Sequence, residues 1–260
     1  MDPVFIEIFG RPIYWYGVLT ALGFLAAVIH LGWLGRRDGR PEGLASELGI
    51  WVMVGGILGA RVAYVLSALD EYAANPLEII RIDKGGLIYY GGFIGATLGI
   101  VLLARLKRKP LWNFGDFVIT AVPLGHAVGR VGCFLNGCCF GTNCAVPWSA
   151  HRHDLTQGDT PSFQHPNDFL HPTQLYETGL NLAVYATLLW YYRRKRRDGT
   201  VLALYLTLYP IVRFTMEFLR GDPRMYWMGL TVAQALSLAL LAVACVFWIF
   251  LPRRPAAGDE

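Results

Sequence analysis

Apolar residues along this chain gather into seven stretches, at roughly 13–34, 44–68, 86–104, 114–131, 174–192, 200–219 and 229–251. Each is long enough to cross about 30 Å of hydrocarbon, which takes about 20 helical residues. The breaks between them are short and polar, and three are strongly basic: Arg36 to Pro41, Arg105 to Pro110, and Arg193 to Arg197. The pattern predicts an all-α polytopic membrane protein with seven transmembrane helices. The one long non-apolar stretch, roughly 132–173, is expected to form a small extracytoplasmic cap inside a single integral-membrane domain covering 1–260. The first stretch is too long for a signal-peptide core and follows a poorly cationic segment, so it is expected to remain as structure.

Composition agrees with this pattern. The chain is 54% hydrophobic and 16% charged, with a mean hydropathy of +0.39. These values exclude a disordered chain, a collagen and an ordinary cytosolic enzyme. A net charge of +4 is too small for a nucleic-acid partner. The placement of the cations says more than their sum. With the N-terminus outside, fourteen of the 23 cations fall on one side: Arg36, Arg37, Arg40, Arg105, Lys107, Arg108, Lys109, Arg193 to Arg197, Arg253 and Arg254. The opposite side receives Arg11, Arg81, Lys84, Arg152, Arg220 and Arg224. The excess of inside positive charge therefore predicts a periplasmic N-terminus and a cytoplasmic C-terminus.

Three arginines remain within apolar stretches: Arg61, Arg130 and Arg213. A charge near the bilayer centre costs at least about 2.5 kcal/mol, so each needs a partner or a function. Arg61 fits a helix-pairing role as well as a functional one. Arg130 lies among glycines, in Gly125-His126-Ala127-Val128-Gly129-Arg130-Val131-Gly132, where a ligand or another backbone can approach closely. Arg213 and Glu217 are four residues apart on one helix face, with Arg220 one turn further. The planar fork of arginine suits phosphate oxygens, so arginines converging from different spans point to an anionic phospholipid headgroup.

Most glycines in the spans read as close helix packing. Gly85-Gly86 and Gly91-Gly92, however, bracket Leu87-Ile88-Tyr89-Tyr90 and suggest a re-entrant or broken-helix element presenting a phenol. Tyr16 serves as an interface anchor or as a site residue. Cys133, Cys138, Cys139 and Cys144 could hold zinc but lack the usual paired C-x2-C spacing, so structural disulfides or small packed thiols are expected ahead of a metal. His151, His153 and His165 read as solvated loop residues, whereas His126 and His171 adjoin the motifs below.

Those motifs are Gly129-Arg130-Val131-Gly132-Cys133-Phe134-Leu135-Asn136-Gly137-Cys138-Cys139-Phe140-Gly141, His171-Pro172-Thr173-Gln174-Leu175-Tyr176-Glu177, and Arg213 to Asp222. Together with Tyr14-Trp15-Tyr16-Gly17, Arg61 and the Gly85 to Gly95 element, the chain resembles the phosphatidylglycerol–prolipoprotein diacylglyceryl transferases over nearly its whole length. The resemblance implies a bacterial inner-membrane enzyme. It would move the diacylglyceryl group of phosphatidylglycerol onto the lipobox cysteine of a prolipoprotein signal peptide, giving a thioether and glycerol 1-phosphate, with no metal or soluble cofactor. The family's two essential arginines are matched by Arg130 and Arg213, its signature asparagine and glycine by Asn136 and Gly141, its first-span tyrosine by Tyr16, and its sixth-span acid by Glu217. The sequence departs from the commonest family pattern at three places, with Tyr90 for histidine, Cys133 for asparagine and Cys138 for glutamate.

The implied chemistry needs a stabilised phosphate leaving group and a thiolate. Arg130 and Arg213 are expected to bind the phosphate, with Arg61 as a third candidate. Glu217 would hold Arg213, Asn136 would bind glycerol or phosphate oxygens, and Gly141, Tyr16 and His171 would line the substrate site. Proton removal is open among Tyr90, His126 and stabilisation of the thiolate by the arginines. Two other readings remain: a thiol–disulfide oxidoreductase using Cys138 and Cys139, and an anion transporter lined by the arginines.

Overall fold

The computed structural model describes residues 3–81, 85–151, 169–195 and 197–251. Of the residues singled out above, Lys84, Arg152, His153, His165, Arg196, Arg253 and Arg254 lie outside the described residues. The chain opens with an antiparallel hairpin, β1 (Val4–Ile8) and β2 (Arg11–Tyr14), that runs directly into helix α1 (Trp15–Arg37). Then come α2 (Leu44–Ser67), α3 (Leu69–Ala74), a 3-10 turn (Pro76–Ile80), α4 (Tyr89–Leu106), α5 (Leu111–Ile119) and α6 (Val122–Leu135). After the two-residue strands β3 (Ala150–His151) and β4 (Phe169–Leu170) follow α7 (Thr173–Tyr192) and α8 (Thr200–Glu217). A small hairpin, β5 (Tyr226–Trp227) and β6 (Leu230–Thr231), leads into α9 (Val232–Phe250).

Helices occupy all seven stretches that the apolar pattern marks. Among the described residues, five are long and apolar enough to cross a membrane: Trp15–Arg37, Leu44–Ser67, Tyr89–Leu106, Leu111–Leu135 and Val232–Phe250. The fourth of these is interrupted between α5 and α6, where Pro123 stands in the first turn of α6. α7 and α8 fall outside this set. α7 carries Gln174, Glu177 and Asn181, and α8 carries Arg213 and Glu217, so their hydropathy is diluted by polar side chains that are mostly buried.

Packing divides the chain into two units: unit 1 comprises Met1–Ala27 and Gly115–Glu260, and unit 2 comprises Val28–Phe114. In unit 2, α2 packs along α4 through glycines spaced four apart, Gly55 and Gly59 on one helix and Gly91, Gly95 and Gly99 on the other. A Cβ added at Gly55 would meet the Gly95 carbonyl at 2.6 Å, and one at Gly99 would meet that of Trp51 at 2.7 Å. Small residues are what allow these backbones to touch. Gly85 and Gly86 have φ of 84° and 77°, and so turn the chain into α4, whereas Gly91 and Gly92 lie within the helix. Only the first glycine pair thus makes the expected break.

In unit 1, α7 packs between α6 and α8, and α9 packs on α8. Asp116 of α5, wholly buried, accepts hydrogen bonds from the backbone N–H groups of Gly199 (2.8 Å), Val201 (3.0 Å) and Leu202 (2.9 Å) and from Lys195 (3.1 Å). It caps the N-terminus of α8 from another helix, which satisfies donors that have no intrahelical partner. Of the stretch expected to form a cap, 132–135 belongs to α6. The described remainder contributes the β3–β4 pair and two bridges, Gly141 to Arg220 and Asn143 to Leu170.

Candidate functional site

Unit 1 concentrates charge where α6, α7, α8 and the segment after α8 meet. Glu177, 2% exposed, is the common partner. Its Oε2 lies 2.7 Å from Arg130 Nε, and its Oε1 lies 3.3 Å from Arg220 Nη1 and 3.7 Å from Arg213 Nη1. Arg213 Nη2 pairs with Glu217 Oε2 at 2.8 Å, one helical turn on. Arg220 holds Asp222 with both arms of its fork, Nε to Oδ1 at 2.9 Å and Nη2 to Oδ2 at 3.0 Å. Arg224 reaches Asp222 at 2.7 Å and Glu217 at 3.4 Å. Four guanidiniums thus face three carboxylates, and the cluster carries one more positive than negative charge.

The four arginines differ in how fully they are engaged. Arg220 uses Nε, Nη1 and Nη2 on protein carboxylates. Arg130 makes its shortest ion-pair contact through Nε, which also donates a hydrogen bond of 3.2 Å to His126 Nε2. Its two terminal nitrogens make no hydrogen bond among the described residues. Arg213 Nη1 is buried and has no hydrogen-bond acceptor among the described residues. Leaving a buried donor unpaired costs about 1–3 kcal/mol, and more for a charged group. The cluster therefore holds open guanidinium donors on two facing residues, which can grip an oxyanion.

His126 accepts at Nε2, which requires the proton on Nδ1, and its ring lies 5.6 Å from that of Tyr209 on α8. The lone pair that would serve a base is therefore occupied by Arg130. Asn136 caps the C-terminus of α6, its backbone N–H bonded to the Gly132 carbonyl, and the Cys138 thiol that follows donates to the Cys133 carbonyl at 3.7 Å. Gly141 is enclosed by backbone: its N–H donates to the His171 carbonyl at 2.9 Å, and an added Cβ would meet that oxygen at 2.7 Å and the Leu219 carbonyl at 2.8 Å. This crossing fixes the segment that carries Arg220 and Asp222. Tyr16, about half exposed at the start of α1, touches α6 through its backbone, where a Cβ on Gly132 would lie 3.3 Å from its Cα.

The other sequence candidates have partners of their own within each unit. His171 Nδ1 meets Tyr176 Oη at 3.2 Å, and that hydroxyl accepts from Trp148 Nε1 at 2.8 Å, so His171 belongs to an aromatic group and is not an ion partner of the cluster. Arg61, in unit 2, donates to four backbone carbonyls: Ile79 (2.8 Å), Glu78 (2.6 Å), Gly85 (3.0 Å) and Gly86 (3.1 Å). It also sits over the rings of Tyr72 (5.2 Å) and Tyr64 (5.7 Å). Its geometry is structural, but in place of the expected helix-pairing role it ties the turns at Glu78–Ile79 and Gly85–Gly86 to α2. Tyr90, also in unit 2, is exposed in the first turn of α4, edge-on to Tyr89 at 5.7 Å.

Cys133, Cys138, Cys139 and Cys144 are free thiols, Cys133 buried and the others half-buried, so of the two expectations, disulfides or packed thiols, the structure has the second. Hydrogen bonds from the Cys133 and Cys138 thiols, helped by the charges of Arg220 and Arg130, pull the Cys139 thiol below the ordinary thiol range against the opposing effect of burial. Arg130, Arg213 and Glu217 stand out in the sequence, whereas Glu177, Asp222 and Arg224 take their role only from the structure. The signal for Glu177 was present: a carboxylate in the first two turns of an otherwise apolar stretch.

The family model for prolipoprotein diacylglyceryl transferase matches residues 3–250. A phosphatidylglycerol–prolipoprotein diacylglyceryl transferase of Clostridium tetani is 35% identical, over 94% of this chain and 95% of its own length. The proteins of the same name from Trichormus variabilis (36% identical, 97% and 91% covered) and Bordetella bronchiseptica (34%, 98% and 97%) are similar along the same span.

Proposed function

The chain belongs to the prolipoprotein diacylglyceryl transferase family and is a membrane transferase with that activity; from this premise we propose that the arginine–carboxylate cluster of unit 1 binds the phosphate of phosphatidylglycerol and drives its departure. The observation that carries the reading is the set of open donors, the terminal nitrogens of Arg130 and Nη1 of Arg213, in a cluster with one surplus positive charge.

The reaction is an alkyl transfer. The sulfur of the prolipoprotein's lipobox cysteine, as thiolate, attacks C3 of the diacylglyceryl group. The C–S bond forms as the C3–O bond breaks, and its electron pair leaves on the phosphate oxygen of glycerol 1-phosphate. Arg130 and Arg213 meet the charge as it grows on that oxygen, where preorganised donors in a dry site are worth most. Glu177 and Glu217 hold the two guanidiniums apart and oriented, and Arg220 holds Glu177. Asn136 and Tyr16 border the substrate site beside the end of α6, and Gly141 positions Arg220 through its backbone. His126 positions Arg130. The surplus positive charge favours the thiolate, and the thiol proton ends on the departing glycerol phosphate, whose monoester dianion can take it up; this fits these residues better than a tyrosine base, whose ordinary pKa is near 10.

The same reading includes a bacterial inner-membrane location, seven spans with the N-terminus outside, and one functional domain over 1–260 with 132–173 as its extracytoplasmic cap. The bias of fourteen cations supports the orientation. α7 and α8 then cross the membrane as site-bearing helices whose polar side chains pair with one another, which lowers the cost of burying them. Both substrates are membrane-embedded and enter laterally between helices.

The test is reconstitution with phosphatidylglycerol and a lipobox peptide, with the peptide cysteine followed by mass. A diacylglyceryl adduct is expected, and it should be lost in Arg130→Gln and Arg213→Gln. No adduct from the wild-type protein, under conditions where the Clostridium tetani relative forms one, overturns the proposal.

A further inference from the structure

Cys133, Cys138 and Cys139 are placed for a purpose that the transferase chemistry does not use. Their three Sγ atoms all lie within 4.8 Å of one another, although the residues are separated by as many as six positions. The geometry is set by the backbone. Cys133 lies in the last turn of α6, three residues after Arg130, and the chain then reverses through Gly137 (φ 69°) and Cys139 (φ 68°), both left-handed. Cys139 adopts that conformation without being glycine, which side chains rarely do unless surrounding structure imposes it. Two wholly buried side chains of α7 clamp the reversed segment: Thr173 Oγ1 donates to the Cys139 carbonyl at 2.8 Å, and Gln174 Nε2 to the Cys138 carbonyl at 2.7 Å.

We propose that Cys133, Cys138 and Cys139 form a three-thiolate site for a soft d10 metal ion, copper(I) in trigonal coordination or zinc(II) with one further non-protein ligand. Thiolate sulfur selects these ions over hard cations. A metal–sulfur bond of about 2.3 Å places three trigonal sulfurs about 4 Å apart, so only a small inward movement closes the ring. Three thiolates around one such ion retain net negative charge. The guanidinium of Arg220, whose nitrogens are engaged by protein carboxylates, acts on Cys139 electrostatically and favours that bound form. The linear spacing hides this site because no two of the cysteines stand in a C-x2-C pair; the helix end and the left-handed turn bring the sulfurs together.

The test does not depend on the transferase reading. Full-length protein is purified in detergent under reducing, anaerobic conditions and titrated with copper(I) against bathocuproine disulfonate, and separately with zinc(II) against a chromogenic chelator. One ion per chain is expected for at least one of the two metals, and which one binds distinguishes them. Affinity should fall by more than about tenfold in Cys133→Ser and Cys139→Ser, since loss of even an outer-shell group costs 10–100-fold. It should be unchanged in Cys144→Ser and Cys245→Ser. X-ray absorption of the loaded wild-type protein keeps the test decisive if a variant does not fold: three sulfur neighbours support the site. Failure of both metals to bind, binding that survives removal of all three cysteines, or a shell of nitrogen and oxygen overturns it.

Discussion

Arg130 of α6 and Glu177 of α7 meet with Nε 2.7 Å from Oε2, the carboxylate being only 2% exposed. Because the shortest contact uses Nε, it orients the guanidinium while the terminal fork makes no hydrogen bond among the described residues. The other carboxylate oxygen of Glu177 faces Arg220 and Arg213, so one acid sets the position of three cations.

Glu177→Gln should therefore be more damaging than its single lost charge implies. The substitution keeps the volume but leaves Arg130, Arg213 and Arg220 without their common counter-ion, and breaking a buried pair from one side costs about 3–5 kcal/mol. Thermal unfolding in detergent should shift down and transferase turnover should collapse. Turnover at the wild-type level would remove Glu177 as the organising residue.

Arg213→Lys tests whether geometry or charge matters at the open donor. Lysine keeps the charge but not the planar fork, so kcat is expected to fall about 10²-fold, the usual cost of one lost transition-state donor. KM and melting temperature should move little. If the loss appears in KM alone, Arg213 binds phosphate equally in the ground state and the transition state.

Arg61→Lys should behave in the opposite way. Its guanidinium is spent on the carbonyls of Glu78, Ile79, Gly85 and Gly86, and lysine cannot satisfy four separated acceptors. A lower melting temperature with near-normal kcat in the folded fraction is expected. A stable protein with a large kcat defect contradicts the structural assignment.

Asp116→Ala removes the acceptor for three N–H groups at the start of α8 and one of the two carboxylate partners of Lys195, which keeps Asp198. A capping loss of about 2 kcal/mol, at the upper end for such substitutions, is expected. Asp116→Asn should lose less, because its side-chain oxygen still accepts. Equal destabilisation in the two variants, measured by thermal unfolding, would show that the charge pairing with Lys195 dominates over capping.

Gly95→Leu should separate α2 from α4. A Cβ at this position would lie 2.8 Å from the Gly59 Cα and still closer to the Gly55 carbonyl, neither of which can give way as a flexible side chain does. Loss of folded yield is expected, whereas Gly129→Ala, where an added Cβ meets nothing within 4 Å, should be tolerated. Equal yields from both would remove the close-packing role of these glycines.

The seven helical stretches, the three costly arginines and the Arg213–Glu217 pair were all legible in the sequence, because each depends on local quantities: the length of an apolar run, a charge inside one, a spacing of four. The role of Glu177 was not legible, since a carboxylate in a motif does not announce that three arginines from α6, α8 and the following turn will converge on it. Arg61 and Arg130 read alike as intramembrane arginines, yet one meets four carbonyls and the other keeps its fork open. Which donors are spent and which remain is a property of distances between segments far apart in the chain. For the same reason the cysteine spacing gave only a weak sign of a metal site, whereas the turn after α6 gathers three sulfurs. Hydrophobic patterning along the chain determined the helices and their membrane character; the tertiary structure decided which charges neutralise one another and which stay available to a substrate.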